Sequence, residues 1–387
     1  MTDEEMQRGK EILEKLKDGK WPSHVTQTEK TRYPMMLYGV SLSEKRDLWT
    51  TGGYVSVPGA PTGILMRVTS RNDIGENANV VRIYIPSGNF VKSDFINKIC
   101  DYADNYGVGM VHAITTSHNI EIPGIPKEKI REFIDNFKAA GFDVGSTGDA
   151  FRNTTTCVGP IACEYANTDA PKWRDDFYDN FYDYAKYPTF PHKMKFKVSG
   201  CPLDCARATQ KADIGVVASW EGSPEIVDNN FSESELSELK AMCPTDTLGI
   251  DGKKLKIMND QCNQCMKCIR NGYGKIAAGR NKVFLVYVGG KLRGKRGPFT
   301  GKLLKKVHTE DEVFDLINRA VNAYVDHAAR KERIGDMIYR IGWKQFLALI
   351  DEKTEQYQIK DPRSNVFIKV TESEKEKMKD ELEKGGN

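Results

Sequence analysis

Eight cysteines in two sets of four do more than any other feature to limit what this chain can fold into. In the first set, Cys157 and Cys163 stand in TTCVGPIACEY with five residues between them, and after 37 intervening residues Cys201 and Cys205 stand in SGCPLDCAR with three between them. The two pairs can close on one metal centre only if the fold brings two loops together. Zinc ribbons separate paired ligands by about two to four residues in small self-contained loops, whereas each pair here is embedded in a long segment of apolar strands and aromatics. Soft thiolates select zinc or iron–sulfur. The embedding favours iron–sulfur over structural zinc or inert thiols.

The second set is Cys243, followed by Pro244, and then Cys262, Cys265 and Cys268 in DQCNQCMKCIR. A run with two residues between successive cysteines, completed by a remote Cys-Pro, is the ligand arrangement of a ferredoxin-type [4Fe–4S] site. In two-cluster ferredoxins the fourth cysteine serves the other cluster, but four cysteines here should hold one cluster between them. A structural cluster or a zinc knob is the plainer reading of the same residues. A nucleic-acid zinc module would show basic and aromatic interleaving that is missing. The ninth cysteine, Cys100 in FINKICDYADNYG, has no partner in either set and reads as a buried small hydrophobe on a helix.

With 387 residues, 39% hydrophobic and 29% charged, the chain should form two or three domains with a full-sized core. No apolar run approaches the roughly 20 residues of a membrane span, and a net charge of +3 makes no general case for nucleic acid. The N-terminal MTDEEMQRGKEILEKLKDGK lacks the apolar core of a signal peptide and reads as a short amphipathic helix. Nine cysteines without that signal argue for metal in a reducing compartment, so the expected location is cytoplasmic.

From GILMRV at 63–68 to IEIPG at 120–124 the pattern is strand, strand, helix, strand, with NVVRIYI alternating and 94–106 helical. The segment IPKEKIREFIDNFKAAGF starts after Pro126 and stops at Gly141 as a helix should. Further on, MKFKVSG enters as a strand, CPLDCARATQ opens a helix, IGVVASW and FLVYVGG are strands, and helices close the chain at 310–350. The loop GGKLRGKRGPFTGK at 289–302 is not a P-loop, because Gly297 to Gly301 encloses three residues and Leu303 follows Lys302. It reads as a solvated basic turn or a dock for an acidic partner.

Several stretches resemble the alpha subunits of dissimilatory sulfite reductases. They are WPSHV near the start, GGYVSV at 52–57, VRIYIPSG at 81–88, both cysteine sets, RKERIGDMIYRIGW and DPRSNVF. Beta subunits of that family carry two adjacent cysteines in their second pair; this chain has the alpha spacing. The resemblance implies an α+β fold of two sulfite-reductase-type units around a siroheme site, with an inserted ferredoxin-like [4Fe–4S] domain. The expected segments are an N-terminal extension at 1–60, a first ferredoxin-like α+β unit at 61–144, and a siroheme and [4Fe–4S]-binding unit at 145–240 and 284–370. The insert falls at 241–283 and a charged tail at 371–387.

The resemblance further implies siroheme and two [4Fe–4S] clusters. One cluster would be coupled to siroheme through Cys157, Cys163, Cys201 and Cys205, the last reaching the siroheme iron. The other would be the electron entry. Six-electron reduction of sulfite to sulfide needs fixed cations around a small dianion, and the family motif maps onto Arg82, Arg152, Lys193 and Lys195. Three alternating lysines read alone as solvated charge; their position just before Cys201 reverses that reading. If Lys193, Lys195 and Lys197 share one strand face, a small anion can meet two of them, which leaves Lys197 behind the site or on a siroheme carboxylate. Thr115, Thr116, Ser117 and Asn119 fall where the family contacts siroheme. His112, His118 and His192 are axial-ligand or proton-donor candidates, or satisfied core and surface histidines.

Implied partners are a paralogous beta subunit in a two-plus-two assembly, a small sulfur carrier with a C-terminal cysteine, and an electron donor protein or complex. The rival readings are the same enzyme run towards sulfite, a subunit whose own haem is structural, and a zinc-binding scaffold.

Overall fold

The computed structural model describes residues 3–18, 30, 54–56, 62–67, 79–85, 90–107, 109–114, 119–293 and 296–360. The chain divides into two compact units, Met1–Gly200 with Ala328–Arg333, and Cys201–His327 with Ile334–Asn387.

The first unit begins with helix α1 (Asp3–Lys17). Strands β1 (Tyr54–Ser56), β2 (Ile64–Arg67), β3 (Asn79–Ile83), β4 (His112–Ile114) and β5 (Asn119–Ile125) form an antiparallel sheet in the order β1-β2-β3-β5-β4. Helix α2 (Ser93–Tyr106) lies between β3 and β4, and α3 (Ile130–Ala139) follows β5. The sequence of α3 places Ile130, Phe133, Ile134 and Phe137 at i, i+3, i+4 and i+7, which on a 3.6-residue period is one stripe. That stripe is buried against Ile64, Val81, Ile83 and Ile122 of the sheet, and burying each such side chain is worth about 1.5–3 kcal/mol.

One expectation changes here. Within β3, the strand expected at NVVRIYI, Arg82 alone retains partial exposure. Cys100 is exposed rather than buried. The buried stripe of α2 runs through Ile99 and Ala103, and one residue beyond Ile99 the helix has already turned by about 100° towards solvent.

The first unit continues through β6 (Thr155–Thr156), α4 (Ala170–Asn180), α5 (Tyr182–Lys186) and β7 (Phe196–Ser199). Strands β6 and β7 pair in parallel, Thr155 with Lys197 and Thr156 with Val198. The pairing extends upstream, where Met194 N–H donates to Ala150 O at 3.1 Å and Arg152 N–H to Met194 O at 2.8 Å. The rings of Phe151, Phe177 and Phe181 pack with that of Phe196 from β7.

In the second unit the short helix α6 (Ala208–Lys211) precedes β8 (Ile214–Trp220) and β9 (Glu225–Ile226). Helix α7 (Glu233–Met242) starts at a capping box between Ser232 and Glu235. A hairpin of β10 (Leu248–Asp251) and β11 (Lys254–Ile257), helix α8 (Lys267–Asn271) and β12 (Ile276–Ala277) follow, and β12 pairs back with β9. Strand β13 (Lys282–Val288) runs antiparallel between β8 and β14 (Lys302–Val307). Helices α9 (Glu310–His327), α10 (Ile334–Ile341), α11 (Trp343–Leu349) and α12 (Tyr357–Lys360) complete the unit.

The loop between β13 and β14 is not simply a solvated turn. Lys291 is buried, its Nζ 2.5 Å from Asp336 Oδ1 and 4.5 Å from the centre of the Phe299 ring. The loop is thereby pinned to α10 by an ion pair whose members stand 45 residues apart. Among the described residues no helix is long and apolar enough to cross a membrane.

Candidate functional site

The basic candidates lie in the first unit. Arg82 projects from β3, and its Nε and Nη2 donate to Glu121 Oε1 at 2.9 and 2.8 Å, while Nη1 donates to Ser146 O at 3.3 Å. Arg152 donates from Nη1 to the same Ser146 O at 3.4 Å and from Nη2 to Gly148 O at 2.9 Å. Two guanidinium groups therefore share one carbonyl oxygen. Their Nη1 atoms lie within about 7 Å of each other, where unit charges repel by on the order of 2 kcal/mol at an effective dielectric constant near 20.

Glu121, fully buried, sits beside this pair, and its second oxygen meets His112 Nδ1 at 3.2 Å. The close approach also depends on Gly145. A Cβ there would stand 2.6 Å from Asn153 Nδ2 and 3.0 Å from Arg82 Cγ.

Lys193 and Lys195 flank Met194, whose carbonyl receives the Arg152 amide, and both are half-buried. Lys197 is inside β7 and only 5% exposed. Lys193 and Lys195 precede the strand proper, so the expected run of three on one regular strand holds for Lys197 and not for the other two. Asn119 at the start of β5 is buried and accepts from Asn153 Nδ2 at 2.8 Å. The structure thus gathers Arg82 and Arg152 around the Ser146 carbonyl, holds Asn119 through Asn153, the residue after Arg152, and pairs the lysine segment to Arg152 through the backbone. Thr115, Thr116, Ser117 and His118 lie outside the described residues.

Behind the lysines, His192 Nδ1 meets Asp149 Oδ1 at 2.8 Å, and Lys331 bonds the other Asp149 oxygen. Burial favours the neutral imidazole and, with Lys193 and Arg333 nearby, outweighs the pull of Asp149, so His192 titrates below its ordinary range. Burial alone would raise the Asp149 carboxyl, but the bonds from Lys331 and His192 outweigh it and hold it below the usual carboxylate range.

Sequence reasoning did not single out Glu121, Asp149, Asn153 or Arg174. Arg174 is buried and donates to Thr154 O at 3.0 Å and Ile85 O at 3.2 Å, tying the chain beyond β3 to the segment that carries Arg152. The signal for Glu121 was an acid in an otherwise apolar strand, IEIPG.

Of the first cysteine set, Cys157 and Cys163 belong to the first unit and Cys201 and Cys205 to the second. Cys157 Sγ accepts the Gly200 N–H at 3.1 Å, the kind of amide bond that stabilises a thiolate. Cys201 is buried. Cys205 is exposed on a turn between Asp204 at φ 50° and Arg207 at φ 55°. The two oxygens of Asp204 accept Ala208 N–H at 2.6 Å and Thr209 N–H at 3.1 Å, and so hold that left-handed turn in place. In place of a helix opening at Cys201, the segment makes this turn first, and the helix follows at Ala208.

The second set is drawn together within the second unit. Cys243, Cys262, Cys265 and Cys268 line one pocket with Pro244, Thr245 and Trp220. No three His, Cys, Asp or Glu side chains among the described residues converge closely enough to hold a single ion. Burial would raise the Cys243 thiol, but the backbone N–H groups of Thr245, Leu248 and Thr247 and the Thr245 hydroxyl outweigh it and lower it. Gln264 N–H points at Cys262 Sγ at 3.4 Å. Burial, followed by the charges of Cys262, Cys265 and Cys243, pushes Cys268 up to about 12. Four such thiols can all ionise only around a strong positive centre, so the donor set and its amide bonds fit a thiolate-held iron–sulfur cluster.

The 4Fe-4S domain of nitrite and sulphite reductases matches residues 147–357, and the ferredoxin-like half domain of nitrite/sulfite reductases matches residues 67–140. The chain belongs to the nitrite and sulfite reductase family. It is 27% identical to the alpha subunit of the dissimilatory-type sulfite reductase of Allochromatium vinosum over 93% of this chain and 93% of that one. It is also 23% identical to the beta subunit from Nitratidesulfovibrio vulgaris over 79% of this chain and 84% of that one. The crystal structure of dissimilatory sulfite reductase I has the same fold, with a TM-score of 0.77 at 23% identity over 94% of this chain and 95% of that one. Membership of the family implies an iron–sulfur centre and siroheme, and the cations of the first unit suit a group whose eight carboxylates need positive partners.

Proposed function

We propose that this chain is the alpha-type subunit of a dissimilatory, siroheme-dependent sulfite reductase, and that Arg82, Arg152, Lys193 and Lys195 form its sulfite site. The observation that carries the proposal is the sharing of the Ser146 carbonyl by Arg82 and Arg152, beside the segment of Lys193 and Lys195. A site for a small dianion needs fixed cations whose orientation is set before the anion arrives. Glu121, Ser146 and Gly148 provide that by holding both guanidinium groups.

Siroheme, when bound, supplies the iron that takes the sulfur atom and the route by which six electrons reach it. The protein's cations hold the oxygens of sulfite and favour their departure as water while negative charge builds up. Lys197, Asn119 and the segment of Thr115, Thr116 and Ser117 are assigned to siroheme. Cys157, Cys163, Cys201 and Cys205 would hold the cluster beside it, and Cys243, Cys262, Cys265 and Cys268 a second [4Fe–4S] cluster for electron entry in an inserted domain at 241–283. The amide bonds to Cys157, Cys243 and Cys262 support both assignments.

The match to a beta subunit supports a paralogous partner, and we extend this to a two-plus-two assembly in the cytoplasm, served by an electron donor protein and a small sulfur carrier with a C-terminal cysteine. Substitution in the reconstituted complex tests the anion site. Lys195→Ala removes a charge and should lower sulfite turnover by about 10²–10³, and Arg152→Lys, which keeps the charge but loses the planar fork that grips two oxygens, should impair turnover while siroheme is retained. Native turnover in both variants would remove these residues from the site.

A further inference from the structure

Trp220 closes β8 and pairs with Lys282 of β13, and its side chain is 3% exposed. Its indole N–H is buried and has no acceptor among the described residues. The other two described tryptophans do have one. Trp173 Nε1 donates to Thr168 Oγ1 at 3.0 Å and Trp343 Nε1 to Gln358 Oε1 at 3.4 Å. A buried indole N–H usually finds a partner, because leaving it unpaired forfeits the water it had in the unfolded chain.

Trp220 is among the residues that line the same pocket as Cys243, Cys262, Cys265 and Cys268. Gly279 lets it settle there, since a Cβ at that position would come within 2.3 Å of Trp220 Cδ1, the ring atom bonded to Nε1. A donor without an acceptor and four thiols suited to a cluster rich in sulfur acceptors thus occur in one pocket.

We propose that the Trp220 indole N–H donates a hydrogen bond to a sulfur of the [4Fe–4S] cluster held by Cys243, Cys262, Cys265 and Cys268, and that it raises the reduction potential of that cluster. The inference rests on the reading of those four cysteines as cluster ligands. Reduction adds negative charge to the cluster, so a donor aimed at its sulfur favours the reduced form more than the oxidised one, and hydrogen bonds to the sulfurs are among the determinants of cluster potential. Phenylalanine keeps the shape of the ring in the pocket and lacks the donor.

The test is a redox titration of the purified complex by electron paramagnetic resonance, following the signal that Cys265→Ser abolishes. Trp220→Phe should leave iron and acid-labile sulfide per chain unchanged and shift the midpoint of that signal to a more negative potential. An unshifted midpoint with the cluster intact overturns the proposal.

Should the variant lose its cluster, the unsubstituted complex carrying indole-¹⁵N tryptophan decides the matter by pulsed resonance. Coupling of the reduced cluster to an indole nitrogen supports the bond, and absence of coupling overturns it. Equal iron and sulfide contents in the native protein and in Cys265→Ser would instead refute the cluster reading, and the Trp220 proposal with it.

Discussion

Arg82 and Arg152 repel one another across a single carbonyl oxygen, and the fully buried carboxylate of Glu121 compensates part of that charge while fixing one guanidinium in place. A half-buried acid–base pair, His192 with Asp149, lies beside the lysine segment and gives the unit a pH-sensitive group. The folded pKa of His192 is depressed, so the unfolded chain takes up a proton first as pH drops below the ordinary histidine value of about 6.5. Stability present above that value is then lost as pH falls through the folded pKa. His192→Gln should therefore shrink the drop in thermal midpoint between about pH 7.5 and 5.5, measured by calorimetry; an unchanged drop would show that His192 does not carry it.

Single residues were unevenly legible in the sequence. Cations and cysteines could be listed by type and spacing, but the role of Glu121, marked only as an acid in an apolar strand, was hidden because its partner Arg82 is 39 residues away. Lys291 read as a solvated charge for the same reason, since only the fold brings Asp336 to it.

Among elements, the helices with a clean apolar stripe were the readable ones. Ile130, Phe133, Ile134 and Phe137 specify both the helix and its buried face, with Pro126 before it and Gly141 after. The same spacing rule misled at Cys100, which follows the buried Ile99 and so falls just outside the stripe. The left-handed turn at Asp204 and Arg207 was not legible either, because Asp signals positive φ only weakly and Arg does not signal it.

The ferredoxin-like segment was legible through its cysteines, yet its packing depends on other residues. Leu248, Leu255 and Ile276 share one core with Phe231, Leu236 and Leu239 from before residue 241, and Cys243 and Cys268 pack only at its margin. Cys265→Ser should accordingly remove one cluster while siroheme absorption and dye-driven sulfite turnover persist. Iron and sulfide analysis alongside the visible spectrum checks this, and loss of siroheme in that variant would make the cluster a structural staple.

At the scale of the whole molecule, the division into two compact units has a consequence for the first cysteine set, whose pairs fall one in each unit. Within the first unit, Gly200, the last residue before that boundary, donates its amide to Cys157. Sequence spacing alone could name the four residues but not that they straddle such a boundary, because the boundary is set by long-range packing. The most direct measurement is made on the chain purified anaerobically with its beta-type partner: siroheme content together with sulfite-dependent oxidation of a reduced dye. The account predicts bound siroheme, a brown iron–sulfur protein, and six electrons consumed for each sulfite released as sulfide. A colourless zinc protein, or one that carries siroheme and oxidises no dye when sulfite is added, would contradict it.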